Sequence, residues 1–458
     1  TSVEITGTIN NVIAPAGAFI EVIQLPDYPM TTVRDTYMSG EYVGAFWKAG
    51  QTGERIIRIP VGTNTVRSGK WDASVYWLGP GWNAGDIVFS NDISDDTGIT
   101  YHSSTETPAN MLTYDATYAV SGYVSSASGT AVSGAGNYIY FRIGLTSTYA
   151  ATGNNPARYA LVLLRYGTPQ KYHIIYIRQG EKPDYLMYPS DDSRGSAAVQ
   201  FCAYNVTASD LTNNDELVEI LPNRSNAVFT DYPTQAGALF QWSEVLTYGP
   251  LAYNPVNPIT PVIWYDIPTG SFWSTLKATS ESCPPGYRRP NDGSTITVAL
   301  NASSTAIKNS EIRQSLYATP TVGDNFNDAN LRWGFYADGY FDRRDHNNSF
   351  IASPGEGGSA IASNTAVSWT TKDVAYVGSL LFNPVSGSLR ENASLFIPAA
   401  GNRHSEQGAL VEGGEAGFLL SSSGPNGTDM WYLVGSSFGT GQLSSTRKHG
   451  MSLRCVPE

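Results

Sequence analysis

The placement of three cysteines constrains this chain more than any other feature. Cys283 opens the turn-rich segment CPPGYRRPNDG and Cys455 lies in the C-terminal segment KHGMSLRCVPE, so the two bracket about the last third of the 458 residues. Because Cys202 makes the count odd, one cysteine is free or pairs between chains. We predict a Cys283–Cys455 disulfide in an oxidising compartment, and three reduced, buried cysteines are the alternative. Cys202 lies in the apolar run VQFCAYNV, so we expect it to be buried, unpaired and slow to react.

The overall composition favours a β-rich extracellular protein. Charged residues make up 15% of the chain, whereas a typical soluble domain has about a quarter. The net charge of −12, with no cluster of Lys or Arg, argues against nucleic-acid binding. No apolar run has the length needed to span a bilayer. The opening segment TSVEITGTI predicts a mature, already processed N-terminus.

The pattern of residues 1–180 predicts many short strands that are separated by turns. The strand-like segments are β-branched or aromatic, and most of them alternate between apolar and polar residues. They are Ala18–Leu25, Glu54–Val61, Ala73–Gly79, Asn137–Leu145, Tyr159–Gly167 and Lys171–Gly180. Short strands without intervening helices predict a β-sandwich. We expect the Gly/Ser-rich stretch Ser125–Gly136 to be an exposed loop.

The sequence changes in character near Glu181–Ser196, where Pro, acidic and small residues end the series of strands. Beyond this segment Trp, Asn, Pro and Gly become frequent, which predicts a loop-rich α+β domain. Short helices are predicted at Ser271–Ser280 and Asn327–Tyr336. We therefore predict two domains, residues 1–184 and residues 185–458.

Six segments of the second part resemble a known bacterial family. They are Phe201–Asn205, Asp231–Trp242, Cys283–Gly293, Trp333–Arg344, Leu395–Arg403 and Ser452–Val456. In this order they resemble the Fibrobacter-major-paralogue (FISUMP) domain of Bacteroidota surface proteins. The resemblance implies a C-type-lectin-like fold for residues 185–458. The chain departs from the pattern at Phe418–Ser423, where relatives commonly carry an aromatic-Trp-Ser-Ser segment.

The first part carries a second resemblance. The segment Ile175–Met187 resembles the last strand of Ig-like domains in the same kind of surface protein. This implies an Ig-like, fimbrillin-like sandwich for residues 1–184. The two-part layout resembles accessory or tip subunits of Bacteroidota fimbriae and related surface adhesins, which implies an extracellular location on a fimbrium or at the outer membrane.

Candidate ligand-binding residues lie in the second part. The chain has no G-x-S-x-G, no H-E-x-x-H and no phosphate-binding loop, so we expect neither catalysis nor a cofactor. Aromatic faces beside planar polar groups suit sugar binding, but large aromatics are more often core residues. The candidates are Trp333, Tyr336, Asp338, Tyr340, Asp342, Asn402, Arg403 and Trp431. The aspartates also suit a calcium site, but Arg343 and Arg344 beside them favour ion pairs without metal.

These observations together predict an extracellular adhesion protein of a fimbria or cell surface. The alternative is a glycan-binding surface lipoprotein of a polysaccharide-uptake system. Expected partners are other fimbrial subunits, or a protein or glycan ligand on a host or bacterial surface. The disulfide would hold the two ends of this domain together and leave the long loops between them on one side. We therefore expect the ligand to bind at loop 333–348 or loop 401–417. We also expect the N-terminal domain either to accept a strand from a neighbouring subunit or to have a groove left by a removed strand, with a self-sufficient spacer domain as the alternative.

Overall fold

The fold is given by a computed structural model in which the chain is mainly β, as predicted, with multiple antiparallel sheets. The described residues are 8–9, 12–13, 42–60, 68–90, 126–131, 138–166, 171–190, 197–211, 217–230, 233, 236–243, 246–248, 279–293, 307–320, 331, 333–337, 377–383, 390–406, 408, 410–412, 416–436 and 439–458. Among them, no helix is both long and apolar enough to cross a membrane.

The described residues of the first part form ten strands. They are β1 (Thr8–Ile9), β2 (Val12–Ile13), β3 (Tyr42–Trp47), β4 (Gly53–Pro60), β5 (Ser68–Leu78), β6 (Ile87–Ser90), β7 (Ser126–Ala131), β8 (Tyr138–Leu145), β9 (Arg158–Tyr166) and β10 (Lys171–Gln179). One sheet has the order β3-β10-β9-β5-β7, a second has the order β4-β8-β6, and β1 pairs with β2. The pairing of β3 with β10 is parallel.

The two larger sheets of the first part face each other across one apolar core. Side chains of a strand alternate between its faces, and Phe141, Ile143 and Leu145 of β8 are all buried in this core. Ile175 and Ile177 of β10 belong to the same core. The two sheets therefore share one apolar core, and the Ig-like sandwich domain stays a prediction.

The described residues of the second part form fifteen strands and a short α-helix. The strands are β11 (Val206–Ala208), β12 (Leu217–Glu219), β13 (Ala227–Phe229), β14 (Leu239–Phe240), β15 (Leu246–Tyr248), β16 (Tyr287–Arg288), β17 (Trp333–Ala337), β18 (Val377–Phe382), β19 (Ser394–Pro398), β20 (Asn402–Arg403), β21 (Leu410–Val411), β22 (Ala416–Leu420), β23 (Asp429–Ser436), β24 (Gly439–Thr446) and β25 (Val456–Pro457). Helix α1 spans Glu311–Leu316, and Pro222–Arg224 form a 3-10 turn. The two main sheets here are β17-β18-β19 and β22-β23-β24.

Alternating side chains make the β17-β18-β19 sheet a layer between two cores. Leu380 and Phe382 of β18 belong to the core of the first part. Leu381, which points to the opposite face, packs in a second core together with Leu419 of β22 and Leu433 of β23. The sheets of the chain are therefore stacked, and the predicted parts share buried apolar surface. The boundary between residues 184 and 185 stays a prediction.

The disulfide prediction is confirmed. Cys283 and Cys455 are joined with a Cα–Cα distance of 6.0 Å across a sequence separation of 172 residues. The bond reinforces the short β16–β25 pairing, in which Arg288 lies opposite Val456. Cys202 is buried and unpaired, as predicted, and its backbone N–H donates to the Cys455 carbonyl at 3.0 Å.

Two local predictions are wrong. The predicted helix Asn327–Tyr336 is a strand from Trp333 onward, because this segment pairs with β18. The predicted loop Ser125–Gly136 contains β7, which pairs with the edge of β5 although its residues are small and polar.

Helix α1 was not predicted, and its signal is local: the Ser310 side chain accepts from the Arg313 backbone N–H at the helix start. The predicted strand Ala18–Leu25 and most of the predicted helix Ser271–Ser280 lie outside the described residues.

Candidate binding surface

The strands that border the two predicted ligand loops end on the same side of the stacked sheets; residues 333–337 of the first loop are strand β17, and its residues 338–348 lie outside the described residues. In the β17-β18-β19 sheet, Ala337 pairs with Val377 at this end, so the segment 338–376 begins and ends there. In the β22-β23-β24 sheet the same end contains the Ala416–Ser436 pair. The bridge between Gly401 and Gly417 ties the segment 399–415 to it. We call this end of the two sheets the loop end.

The two sheets approach each other closely at the loop end because glycines face the neighbouring sheet. A Cβ atom on Gly417 would collide with the Pro398 carbonyl, and a Cβ atom on Gly435 would collide with the Ser379 side chain. Backbone can come this near only where no side chain intervenes. The strand ends that bear the loops are thus held together as one rigid base.

A polar cluster that the sequence did not reveal joins the segment 399–415 to His449. The rings of His404 and His449 are 5.4 Å apart between centroids and nearly perpendicular. Asn402 connects this pair to a carboxylate, because its Nδ2 donates to Glu412 Oε2 at 2.8 Å and its Oδ1 lies 3.2 Å from His449 Nδ1. An amide that donates to the carboxylate presents its oxygen to the imidazole, so His449 Nδ1 carries the proton.

The electrostatics of this cluster favour an uncharged imidazole. Burial, together with the neighbouring His404, lowers the pKa of His449 to about 4. Desolvation raises the pKa of Glu412, and the hydrogen bond from Asn402 opposes this. Glu412 also has a φ of 57°, a left-handed conformation that costs free energy for any residue except glycine. The cluster offers hydrogen-bond donors and acceptors beside an exposed ring, that of His404.

Three of the predicted ligand-binding residues are buried. Arg403 is 0% exposed, and its Nη1 donates to the Gly408 carbonyl at 2.9 Å. Asn402 and Trp431 are also buried. These side chains hold the segment 399–415 and the β23 strand in place, and their contact with a ligand stays a prediction.

The remaining candidates are placed only in part. Trp333 and Tyr336 lie on β17, the strand that leads into the segment 338–376. Asp338, Tyr340 and Asp342 lie outside the described residues, as does the suggested calcium site. Among the described residues, no group of three or more His, Cys, Asp or Glu side chains could hold a metal ion.

Buried arginines fix the segments that lie between the strands. Arg313 of α1 pairs with Asp292 at 2.9 Å, and both side chains are 0% exposed. Arg288 donates to both carboxylate oxygens of Glu311, a bidentate geometry that is strong and directional. Arg289 lies 3.8 Å from a Glu281 oxygen.

A concave region, separate from the loop end, lies between the first and second parts of the chain. Its empty volume is about 370 Å³. The lining includes Phe46, Tyr176, Arg178, Leu380, Leu395 and Phe396. Each nitrogen of the Arg178 guanidinium already donates to a backbone carbonyl, those of Gly180, Lys182 and Ser394. The region therefore offers apolar contacts and little free hydrogen-bonding capacity.

No protein-family model and no curated protein matches this chain. The class that the fold defines is thus a mainly β, disulfide-closed protein whose second part presents loops at one end of stacked sheets.

Proposed function

We propose that this protein is an extracellular adhesion protein, an accessory or tip subunit of a Bacteroidota fimbria or a related surface adhesin, which binds its ligand at the loop end. The observation that carries the proposal is that the strands flanking segments 338–376 and 399–415 end on one base of stacked sheets, in a half of the chain that also contains a disulfide. Segments 338–376 and 399–415 start and finish on neighbouring strands, and the Cys283–Cys455 bond lies beside the β16–β25 pair of the same half. Binding loops on a rigid scaffold are a common arrangement in recognition proteins.

Assembly with other subunits would use the open edges of the sandwich. Among the strands that the structure describes, β4 pairs with β8 on one side and has no partner on the other. An unpaired edge presents N–H and C=O groups that can accept a strand from another chain. Such strand addition would join this protein to a neighbouring fimbrial subunit.

The adhesion proposal is tested with the full chain and exposed loop-end residues. The double variant His404→Ala/Glu406→Ala changes two exposed side chains of the segment 399–415. The matched control, Asn83→Ala/Asn154→Ala, changes two exposed side chains of the first part. We expect the first variant, but not the control, to weaken binding to bacterial or host cells at least tenfold, with unchanged circular dichroism and melting temperature. Full binding by the loop-end variant would contradict the placement of the site.

The precursor sequence separates the fimbrial proposal from the lipoprotein alternative. A fimbrial subunit that is matured by a trypsin-like protease carries Arg or Lys directly before Thr1. A lipoprotein carries a Cys near its mature start. Sequencing the gene upstream of the codon for Thr1 and determining the N-terminus of the exported protein decide between them.

A further inference from the structure

The loop that joins β22 to β23 contains Asn426 followed directly by Gly427, the one Asn-Gly pair in the sequence. Both residues are half-buried, so water reaches them. Because glycine has no Cβ atom, little hinders the approach of its backbone nitrogen to a neighbouring group. Among the described residues, nothing accepts a hydrogen bond from the Gly427 N–H, and residues 425–428 are in bends rather than in a helix or strand. The Gly427 nitrogen is therefore free to react.

The side-chain carbonyl of Asn426 lies among hydrogen-bond donors. Its Oδ1 accepts from the backbone N–H groups of Thr428 at 2.8 Å and of Asp429 at 2.7 Å. It also accepts from the Thr428 hydroxyl at 2.8 Å. Donors on a carbonyl oxygen stabilise the negative charge that develops there when a nucleophile attacks the carbon. The Asn426 amide carbon is thus activated in the folded chain.

Two other asparagines of the same half show how local this arrangement is. Among the described residues, Asn205 and Asn226 each accept a single hydrogen bond at Oδ1, at 2.9 and 2.8 Å. Both are buried. The residues that follow them, Val206 and Ala227, have a Cβ atom and lie in strands β11 and β13. Asn426 differs from both in its donors, in its exposure and in the residue that follows it.

From this geometry we infer that Asn426 is a site of spontaneous deamidation, in which the Gly427 nitrogen closes a succinimide ring on the Asn426 side chain. The nitrogen loses its proton to water and bonds to Cγ. The Cγ–Nδ2 bond then breaks, and Nδ2 takes up a proton from water and leaves as ammonia. Water next adds to one of the two ring carbonyls and opens the ring to aspartate or isoaspartate. The reaction needs water alone and does not depend on the proposed adhesion function.

The product changes the contacts of this loop. Nδ2 of Asn426 donates to Asp429 Oδ2 at 2.7 Å, so deamidation replaces a donor by a second carboxylate beside the first. Isoaspartate also lengthens the backbone by a methylene group. The Arg447 guanidinium donates to the Asn426 and Asp429 carbonyls and lies 3.9 Å from the centroid of the Trp242 ring. We therefore expect the aged chain to melt at a lower temperature than the fresh chain.

The first arm of the test compares the folded full chain with the same chain unfolded in urea, both at pH 8. Labelling by an isoaspartyl methyltransferase and peptide mapping by mass spectrometry measure the rate and the position of isoaspartate. We expect isoaspartate at Asn426 in the folded chain at a rate at least equal to that in urea, because only the folded chain orders the donors. Slower formation in the folded chain would show that these contacts protect Asn426 and would overturn the inference.

The second arm isolates the donor from the Thr428 side chain, which is exposed. Thr428→Val should slow the folded-state reaction about fivefold, the factor that corresponds to one ordinary hydrogen bond, and Thr428→Ser should restore the rate. The matched control is Thr152→Val, which removes the hydroxyl of an exposed loop threonine that accepts from the Asn155 N–H at 3.1 Å. It should leave the rate unchanged. Circular dichroism checks that each variant is folded, and equal rates in the wild type and Thr428→Val would contradict activation by the donors.

Discussion

Asp184 and Arg390 form an ion pair of 3.0 Å in which both side chains are almost completely buried. Asp184 follows the last strand of the first part, and Arg390 lies in the second part between β18 and β19. Tyr159 of β9 donates its hydroxyl to Asp184 at 3.1 Å, and Arg390 also donates to the Asn154 carbonyl at 2.7 Å. This network therefore fastens the second part of the chain to the first.

Removing one charge of this pair should destabilise the protein strongly. In Asp184→Asn the Arg390 guanidinium stays buried without its counter-charge, which costs about 3–5 kcal/mol in free energy of unfolding. The matched control is Glu458→Gln, because the Glu458 side chain is 43% exposed where it pairs with Arg224 at 3.1 Å, and this variant should lose less than about 1 kcal/mol. Urea unfolding of both variants measures the difference, and equal losses would contradict the role of the buried pair.

Removing the disulfide should cost more than removing the free cysteine. The bond closes a loop with a sequence separation of 172 residues, for which the chain-entropy model gives about 5 kcal/mol. We expect Cys283→Ala/Cys455→Ala to lose most of this free energy of unfolding, whereas Cys202→Ala loses about 1 kcal/mol for a small cavity. Thermal unfolding of the two variants checks this, and comparable losses would show that the bond contributes little.

The thiol of Cys202 should be inert in the folded protein. Burial raises the pKa of Cys202 to about 12, and the reactive species is the thiolate. A bulky aromatic disulfide reagent at pH 8 should therefore label no thiol in the native protein and one thiol per chain in denaturant. Labelling of native Cys202 within minutes would mean that the site opens readily.

His449 should make the protein less stable in mild acid. Its pKa is lowered from 6.5 to about 4 by burial and by His404, so the unfolded chain binds the proton more tightly than the folded chain. The free energy of unfolding should therefore fall as the pH drops from 6.5 towards 4. His449→Gln should lose this part of the pH dependence, and His404→Gln should lose a smaller share. Urea midpoints at pH 7 and pH 4.5 test this prediction. An equal fall of the midpoint between the two pH values in wild type and in His449→Gln would refute it.

Several elements follow from the sequence alone because their causes are local. The segments Tyr159–Gly167 and Lys171–Gly180 were predicted as strands joined by a turn, and they form the β9–β10 hairpin, in which Tyr166 pairs with Lys171. Alternation sets which residues face the core, and a turn-forming sequence sets the register of neighbouring strands. The disulfide was also foreseen, since Cys283 and Cys455 each lie beside a segment with a well-defined local pattern.

Tertiary structure alone decided the rest, because the deciding partners are remote in sequence. Trp333–Ala337 is a strand because β18, about forty residues later, supplies its hydrogen bonds, and such pairing overrides local propensity. His404 and His449 look isolated in the sequence and meet only when Arg403 pairs with Gly450. The sequence by itself determined the strands of the β9–β10 hairpin and the disulfide, and packing between distant segments determined where β17 pairs and which polar side chains meet.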